Sequence, residues 1–426
     1  MNAQMAVIIT SVSFLLTYAL IVSEKFHRTI VALVGAMVLL FAGIMSQEEA
    51  VHAIDFNTIG LLVGMMIVVG ITRKTGLFEY LAIKAAKRAK GEPLRILVAM
   101  AAITAVASAF LDNVTTVLLI VPVTFSITKT LKVNPIPFLV TEVLASNIGG
   151  TATLIGDPPN IMIGGATDLG FMDFVINLAP VVIVIYIVTI MILKLIYRRD
   201  LQSQPELAQL IMEFDETVEL KDRSLLKKCL AVIGLTVAGF VLHQFIHLPS
   251  SVIAMGGASL LMLMSRIDPE EVLHAVEWPT IFFFVGLFVL VGGLEKVGVI
   301  ESVARGSLEV TGGQLNTTVM LILWLSAIAS AFVDNIPFVA TMIPLIKTMG
   351  QLSAMPLEPL WWALSLGACL GGNGTIIGAS ANVIVAGISE RNGYPISFVG
   401  FMKVAFPFML LSIVISSIYI YLMYLM

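Results

Sequence analysis

Two short acidic motifs stand out in an otherwise apolar chain: Phe110-Leu111-Asp112-Asn113-Val114-Thr115-Thr116 and Phe332-Val333-Asp334-Asn335-Ile336. Each joins two apolar arms, 94–111 with 113–131 and 316–333 with 335–350, and no polar loop at the turn is long enough to emerge into water. Such a hairpin turns back at membrane depth, where irregular backbone survives only against protein or a water-filled cavity. A carboxylate there costs on the order of 2.5–3.5 kcal/mol on insertion scales, so Asp112 and Asp334 are candidates for binding or exchanging charge. They also stand where they would cap the second arm of each hairpin, a role compatible with function.

Two further segments complement the tips. Asn147-Ile148-Gly149-Gly150-Thr151-Ala152-Thr153-Leu154-Ile155-Gly156-Asp157-Pro158-Pro159-Asn160 interrupts the apolar stretch 135–165, and Gly371-Gly372-Asn373-Gly374-Thr375-Ile376-Ile377-Gly378-Ala379-Ser380-Ala381-Asn382 interrupts 357–389. Gly and Pro pairs break a helix. A broken helix offers carbonyls to cations and positive half-helix N-termini to anionic groups. Close packing would explain the glycines, but not the interleaved Thr, Asn, Ser and Asp.

The candidate ligand set is therefore Asp112, Asn113, Thr115, Gly149, Gly150, Thr151, Thr153, Asp157 and Asn160 in the first half, and Asp334, Asn335, Gly372, Asn373, Thr375, Ser380 and Asn382 in the second. Tips and breaks contain no Lys or Arg. That pattern favours a cation, or a neutral hydroxylated solute exchanged against protons, over a di- or tricarboxylate. Cys369 borders the second break and reads as an apolar filler.

The elements that must position these residues follow from composition. The 426 residues are 58% apolar and 12% charged, against roughly 45–50% and about 25% in soluble domains, and mean hydropathy is +1.00. The chain is thus expected to be an all-α polytopic membrane protein held by the lipid bilayer. Its small net charge of −4 gives no nucleic-acid face, and its two cysteines and five histidines show neither disulfide nor zinc spacing. No cofactor is implied. Spans are expected at 5–23, 29–45, 57–73, 173–198, 229–246, 250–265, 279–297 and 397–425, and the first, lacking a basic start and an A-x-A site, reads as retained.

An offset of 222 residues pairs the two halves without gaps. It matches Glu49 with Glu271, Thr58 with Thr280, Lys74 with Lys296, Ser108-Ala109-Phe110-x-Asp112-Asn113 with Ser330-Ala331-Phe332-x-Asp334-Asn335, and Asn160 with Asn382. Asp157 has no acidic counterpart, since Ala379 stands there. Each half holds five full crossings, and an odd count inverts the second. The expected organisation is repeat one at 1–198 (hairpin 94–131, broken helix 135–165), a linker at 199–227 and repeat two at 228–426 (hairpin 316–350, broken helix 357–389). It comprises two inverted-topology repeats with about ten transmembrane helices, two re-entrant hairpins and two broken helices.

With segment 74–95 in the cytoplasm, only Lys296, Arg305 and Lys347 of the 24 Lys and Arg fall outside. Both termini then lie outside an inner (cytoplasmic) membrane, and linker 199–227 lies inside. In the linker, Leu207, Leu210, Ile211 and Phe214 have the spacing of a short interfacial helix; a partly disordered linker is the alternative.

These tips and breaks resemble the ion transporter superfamily, in particular its branch of arsenite/antimonite permeases and the melanosomal P protein. The resemblance covers nearly the whole chain. It implies a scaffold against which hairpins and broken helices move elevator-fashion. In dicarboxylate carriers of the superfamily, Ser-Asn-Thr motifs at the tips hold Na⁺; here Asp112-Asn113-Val114 and Asp334-Asn335-Ile336 stand instead, which favours proton coupling. The leading expectation is proton-coupled efflux of arsenite or antimonite, with a cation/proton antiporter or a P-protein-like anion carrier or channel as alternatives. A cytosolic arsenite-stimulated ATPase docking on the linker, and a homodimer, are the partners considered. An intramembrane aspartyl protease would need a G-x-G-D context, which neither tip has.

Overall fold

The computed structural model describes residues 2–23, 25–202 and 205–426. Residues 1 and 24 of the first expected repeat, and 203 and 204 of the linker, lie outside the described residues. Helix accounts for 81% of the structure and no strand is present among the described residues. Eight helices there are long and apolar enough to cross a membrane: Ala3–Val22, Phe56–Arg73, Asn113–Leu131, Phe171–Tyr197, Arg223–His243, Trp278–Lys296, Leu315–Phe332 and Phe398–Leu425.

Two expected spans, 29–45 and 250–265, are shorter helices, Arg28–Phe41 of 14 residues and Ser250–Ser265 of 16. At 1.5 Å per residue they reach only about 21 and 24 Å, less than a bilayer core of about 30 Å. The first stops early because Gly43 takes a left-handed φ of +68°. Its N–H donates to the Leu40 carbonyl, and that of Ile44 to the Leu39 carbonyl, closing the last turn.

The hairpins are Pro93–Ser108 with Asn113–Leu131, and Leu315–Phe332 with Asn335–Ser353. The broken helices are Ile136–Thr151 with Pro158–Ala166, and Glu358–Gly371 with Ser380–Arg391.

Contacts in space repeat the sequence offset with the partners exchanged. Lys74 pairs with Glu271 at 2.6 Å, and Lys296 with Glu49 at 2.6 Å. A Cβ on Gly70 would stand 2.8 Å from Ala275, and one on Gly292 2.7 Å from Ala53. Helix Phe56–Arg73 therefore ends where Trp278–Lys296 begins, and the reverse holds at the other end. Equivalent helices run antiparallel, which is what inversion means.

The end bearing Lys74, Glu271 and the linker is here called the linker end, and its opposite the far end. Helix Leu77–Arg88 lies at the linker end and its counterpart Val299–Thr311 at the far end. The former buries Phe78, Ala82, Ile83 and Ala86 on one face and carries Lys84, Lys87 and Arg88 on its others, the pattern of a helix lying along an interface. In the linker, helix Pro205–Met212 buries Ile211, while Leu210 is exposed. It packs on the base of the first hairpin through Ala208 against Gly91, and Lys87 clasps the Phe214 carbonyl at 2.9 Å and Glu216 at 2.5 Å.

Candidate functional site

The two hairpins enter from opposite ends of the bundle and their tips meet. Asn113 and Asn335 donate to the same oxygen, Oδ1 of Asp157, at 3.4 and 3.3 Å. Asp157 is fully buried, and its Oδ2 has no hydrogen-bond partner among the described residues. Asn147 joins the repeats: its Oδ1 accepts from Asn113 at 3.2 Å, and its Nδ2 donates to Asn373 at 2.9 Å and Asn382 at 3.0 Å.

Beside this amide network lies a small cleft of about 20 Å³, lined by Arg28, Asp112, Asn113, Pro158, Glu277, Thr280, Asn335 and Ser380, among others. That is room for about one water. Six helices begin at or beside its walls, starting at Arg28, Asn113, Pro158, Trp278, Asn335 and Ser380, so their positive dipole ends face it. Their first N–H groups are largely taken, by the caps His27, Asp112 and Asp334 and by backbone carbonyls, or absent at Pro158, Pro159, Pro279 and Pro337.

Arg28 corrects the expectation that no basic group faces the site. The tips and breaks carry none, but the scaffold delivers one from 306 positions away: Arg28 Nη1 donates to Asp334 Oδ2 at 2.8 Å and to Ser380 Oγ at 2.6 Å. Ser380 Oγ in turn donates to Asp334 at 2.9 Å, and Arg28 Nη2 reaches Thr280 Oγ1 at 3.5 Å. The guanidinium also lies 5.0 Å from the centre of the Phe283 ring. The pair is mostly shielded, with side chains 26% and 13% exposed. A second cavity, of about 340 Å³, shares Arg28, Asp334 and Ser380 and extends past Ile21, Val22, Phe26 and His27 toward the linker end.

Both tip aspartates are caps as well. Asp112 accepts from the Thr115 N–H at 2.9 Å, and Asp334 from the Ile336 N–H at 3.1 Å.

Other expected ligands prove to hold the breaks together. A Cβ on Gly149 would lie 2.1 Å from the Ala105 carbonyl, and one on Gly371 2.6 Å from the Ala327 carbonyl. Gly150 lies against Gly156, and Gly372 against Gly378, in the same way. These are backbone approaches. Thr151 donates to the Asn147 carbonyl at 2.7 Å, while Thr153 and Thr375 bond the carbonyls of Ala109 and Ala331, stapling each break to its hairpin tip. Asn160 Nδ2 serves the carbonyls of Thr151 and Thr153, and Asn382 Nδ2 those of Gly372 and Thr375. Cys369 is buried against Asn160, with Sγ 3.6 Å from its Oδ1, behind the cleft.

Residues 18–367 match the family described as CitMHS, citrate transporter. The chain belongs to the CitMHS family. It is a membrane transporter of the ion transporter superfamily to which that family belongs. It is 45% identical over 417 residues to an uncharacterized transporter of Mycobacterium bovis, covering 96% of this chain and 97% of that one. The 46 kDa membrane protein of Mycobacterium leprae is 43% identical over 420 residues, covering 97% of each. The mouse (Mus musculus) P protein is 35% identical over 487 residues, which take in 95% of this chain and 58% of the P protein. The crystal structure of the Alcanivorax borkumensis YdaH transporter, titled as having an unusual topology, superposes with a TM-score of 0.60 at 16% identity, over 87% of this chain and 86% of that one. The CitMHS chain thus shares that fold.

Arg28, Glu277, Thr280, Asn147 and Glu142 escaped the candidate set. The offset already paired Thr280 with Thr58, while Arg28, following Glu24, Lys25 and His27, stood among the charges ahead of an apolar run. Glu142 is fully buried and accepts from Thr124 Oγ1 at 2.5 Å, away from the tips.

Proposed function

We propose that the protein is a proton-coupled secondary transporter of small carboxylate anions, in which hairpins and broken helices move as one unit against the scaffold. The observation that carries this reading is the convergence of Arg28 and six helix N-termini on one shielded cleft. The guanidinium and the helix ends favour negative charge there, against the carboxyls of Asp112 and Glu277 that line the same cleft. With Asp334 ionised, Arg28 is neutralised from within. When Asp334 takes a proton, the guanidinium is released to grip a carboxylate through two parallel N–H bonds. Proton and anion then bind together. Asp157, with one oxygen unpartnered among the described residues, adds an acceptor for a hydroxyl or a second proton.

The cavity of about 340 Å³ supplies the approach from the linker end; the excess of Lys and Arg on that side supports a cytoplasmic location for it. The family description, citrate transporter, supports the same cargo class. Efflux of arsenite is the second reading, favoured by the neutral amide network of Asn113, Asn147, Asn335, Asn373 and Asn382, which suits a small hydroxylated solute.

Purified protein in proteoliposomes under an imposed pH gradient tests both. Radiolabelled citrate is expected to move in response to the gradient and to stop moving in Arg28→Gln. Gradient-driven movement of As(III) or Na⁺ without any carboxylate movement overturns the first reading.

A further inference from the structure

We propose that the scaffold carries a second docking station for the hairpin tips, made of Asp55, Thr58 and Ser250 at the far end, and that this station holds anions weakly because it lacks a guanidinium. The inference rests on the moving-unit reading above and extends it.

The tips now stand at Arg28, Glu277 and Thr280. The repeat equivalents of these residues are Ser250, Asp55 and Thr58, and the two sets are built alike. Thr280 Oγ1 donates to Glu277 at 3.2 Å, and Thr58 Oγ1 donates to Asp55 at 2.6 Å. Each acid stands at the N-cap of its helix. Because those helices are antiparallel, the sets occupy opposite ends of the scaffold.

A broken symmetry shows which station is in use. A Cβ on Gly165, at the far end of the first broken helix, would stand 2.4 Å from Asp55 Oδ2 and 2.5 Å from Thr58 Oγ1. Its equivalent, Gly387, would meet nothing within 4 Å. A rigid unit displaced toward the linker end produces this pair of facts. Sliding it the other way brings the tips to Asp55, Thr58 and Ser250, lifts Gly165 away, and closes Gly387 on Glu277 and Thr280. Space for the slide exists at the far end, in cavities of about 470 and 520 Å³ that both reach Asn57; the first includes Asp55 and the second Ser250.

The move separates Asp334 from Arg28 and sets Asp112 against Ser250, a hydroxyl. An anion gripped at the linker end is thereby released at the far end. The stations are alike in shape and differ by the guanidinium, so the anion is held less tightly at the far end while the gradients of proton and anion set the net direction.

The test is cross-linking in protein whose Cys229 and Cys369 are replaced by Ser. Ile336→Cys with Thr280→Cys reports the present station, and Val114→Cys with Thr58→Cys the second. Both pairs are expected to form in membranes. Gly387→Ala is expected to lower the Val114–Thr58 yield relative to the other by about tenfold, Gly165→Ala to shift the ratio about as far the opposite way, and Ser250→Arg to raise it. The Ile336–Thr280 product shows that each variant has folded. A Val114–Thr58 pair that never forms in transporting protein, or glycine variants that shift the ratio in the same direction, overturns the proposal. The readout needs no cargo, so cross-links that form while carboxylates fail to move count against the cargo assignment alone.

Discussion

Asp112 and Asp334 occupy equivalent positions, close equivalent hairpins and cap equivalent helices. Beyond the cap they part. Asp334 meets Arg28 and Ser380, while the residues equivalent to those, Ser250 and Pro158, offer Asp112 neither a charge nor a second hydroxyl at the tip. The difference separates two kinds of feature. What occurs twice, such as Gly149 with Gly371, Thr153 with Thr375 and Asn160 with Asn382, builds the backbone of the breaks. What occurs once, Arg28 and Asp157, is free of that duty and available for chemistry.

The largest test of this division is Arg28→Gln. Removing one member of a shielded pair strands the other, and on the proposed reading the cargo loses the one cationic group that the described residues bring to the cleft. Transport in proteoliposomes is expected to fall by about a hundredfold or more, with Arg28→Lys between that and wild type because it keeps charge without the two-pronged geometry. Wild-type rates in Arg28→Gln would make the asymmetry of the tips irrelevant to transport.

Next come the aspartates themselves. Asn is as good an N-cap as Asp, so Asp112→Asn is expected to keep transport within a few-fold of wild type. Asp334→Asn removes the group that exchanges a proton on Arg28. It is expected to lower transport by about tenfold or more and to flatten its pH dependence. Equal losses in the two variants would erase the distinction between the tips.

Features that occur twice should instead behave alike. Gly149→Ala and Gly371→Ala each push a methyl into a carbonyl of the neighbouring arm, at a cost of about 1–3 kcal/mol. Thermal unfolding in detergent is expected to show matched losses. A loss in one variant only would mean that the two breaks are not structurally equivalent.

Much of this arrangement was legible before any coordinates. The 222-residue offset, the odd number of crossings per half and the turns at Asp112 and Asp334 led to inversion and to hairpins that turn back at membrane depth. The charge of the site was not legible, because Arg28 arrives through tertiary packing from 306 positions away, and an Arg that follows Glu24 and Lys25 ahead of an apolar run looks like any charge marking the membrane edge. The close backbone approaches at Gly149, Gly150 and Gly372 were not legible for another reason. A glycine that lets two backbones touch and one that exposes carbonyls to a ligand leave the same mark in a sequence. In the linker, the face marked by Leu207, Leu210, Ile211 and Phe214 is covered by the protein itself at Ile211, partly covered at Leu207 and Phe214, and exposed at Leu210, since spacing reports a face without naming what covers it.

The smallest effects belong to the exchanged ion pairs, Lys74–Glu271 and Lys296–Glu49. Lys296, and then the Ser46 N–H, hold the Glu49 carboxyl below its ordinary range. A lowered carboxylate pKa stabilises the fold above the ordinary value, and that contribution fades as pH falls through the lowered one. Glu49 is solvent-exposed, so the gain is screened. Glu49→Gln is expected to lower the melting temperature only slightly at neutral pH and not at all once acid has protonated the wild-type carboxyl. Transport should persist in Glu49→Gln and in Glu271→Gln, because each pair joins scaffold to scaffold and neither is broken when the unit carrying the tips slides. Loss of transport in either variant, with the fold intact, would put the moving boundary inside what is here taken as the fixed frame, and the two stations would have to be redrawn around it.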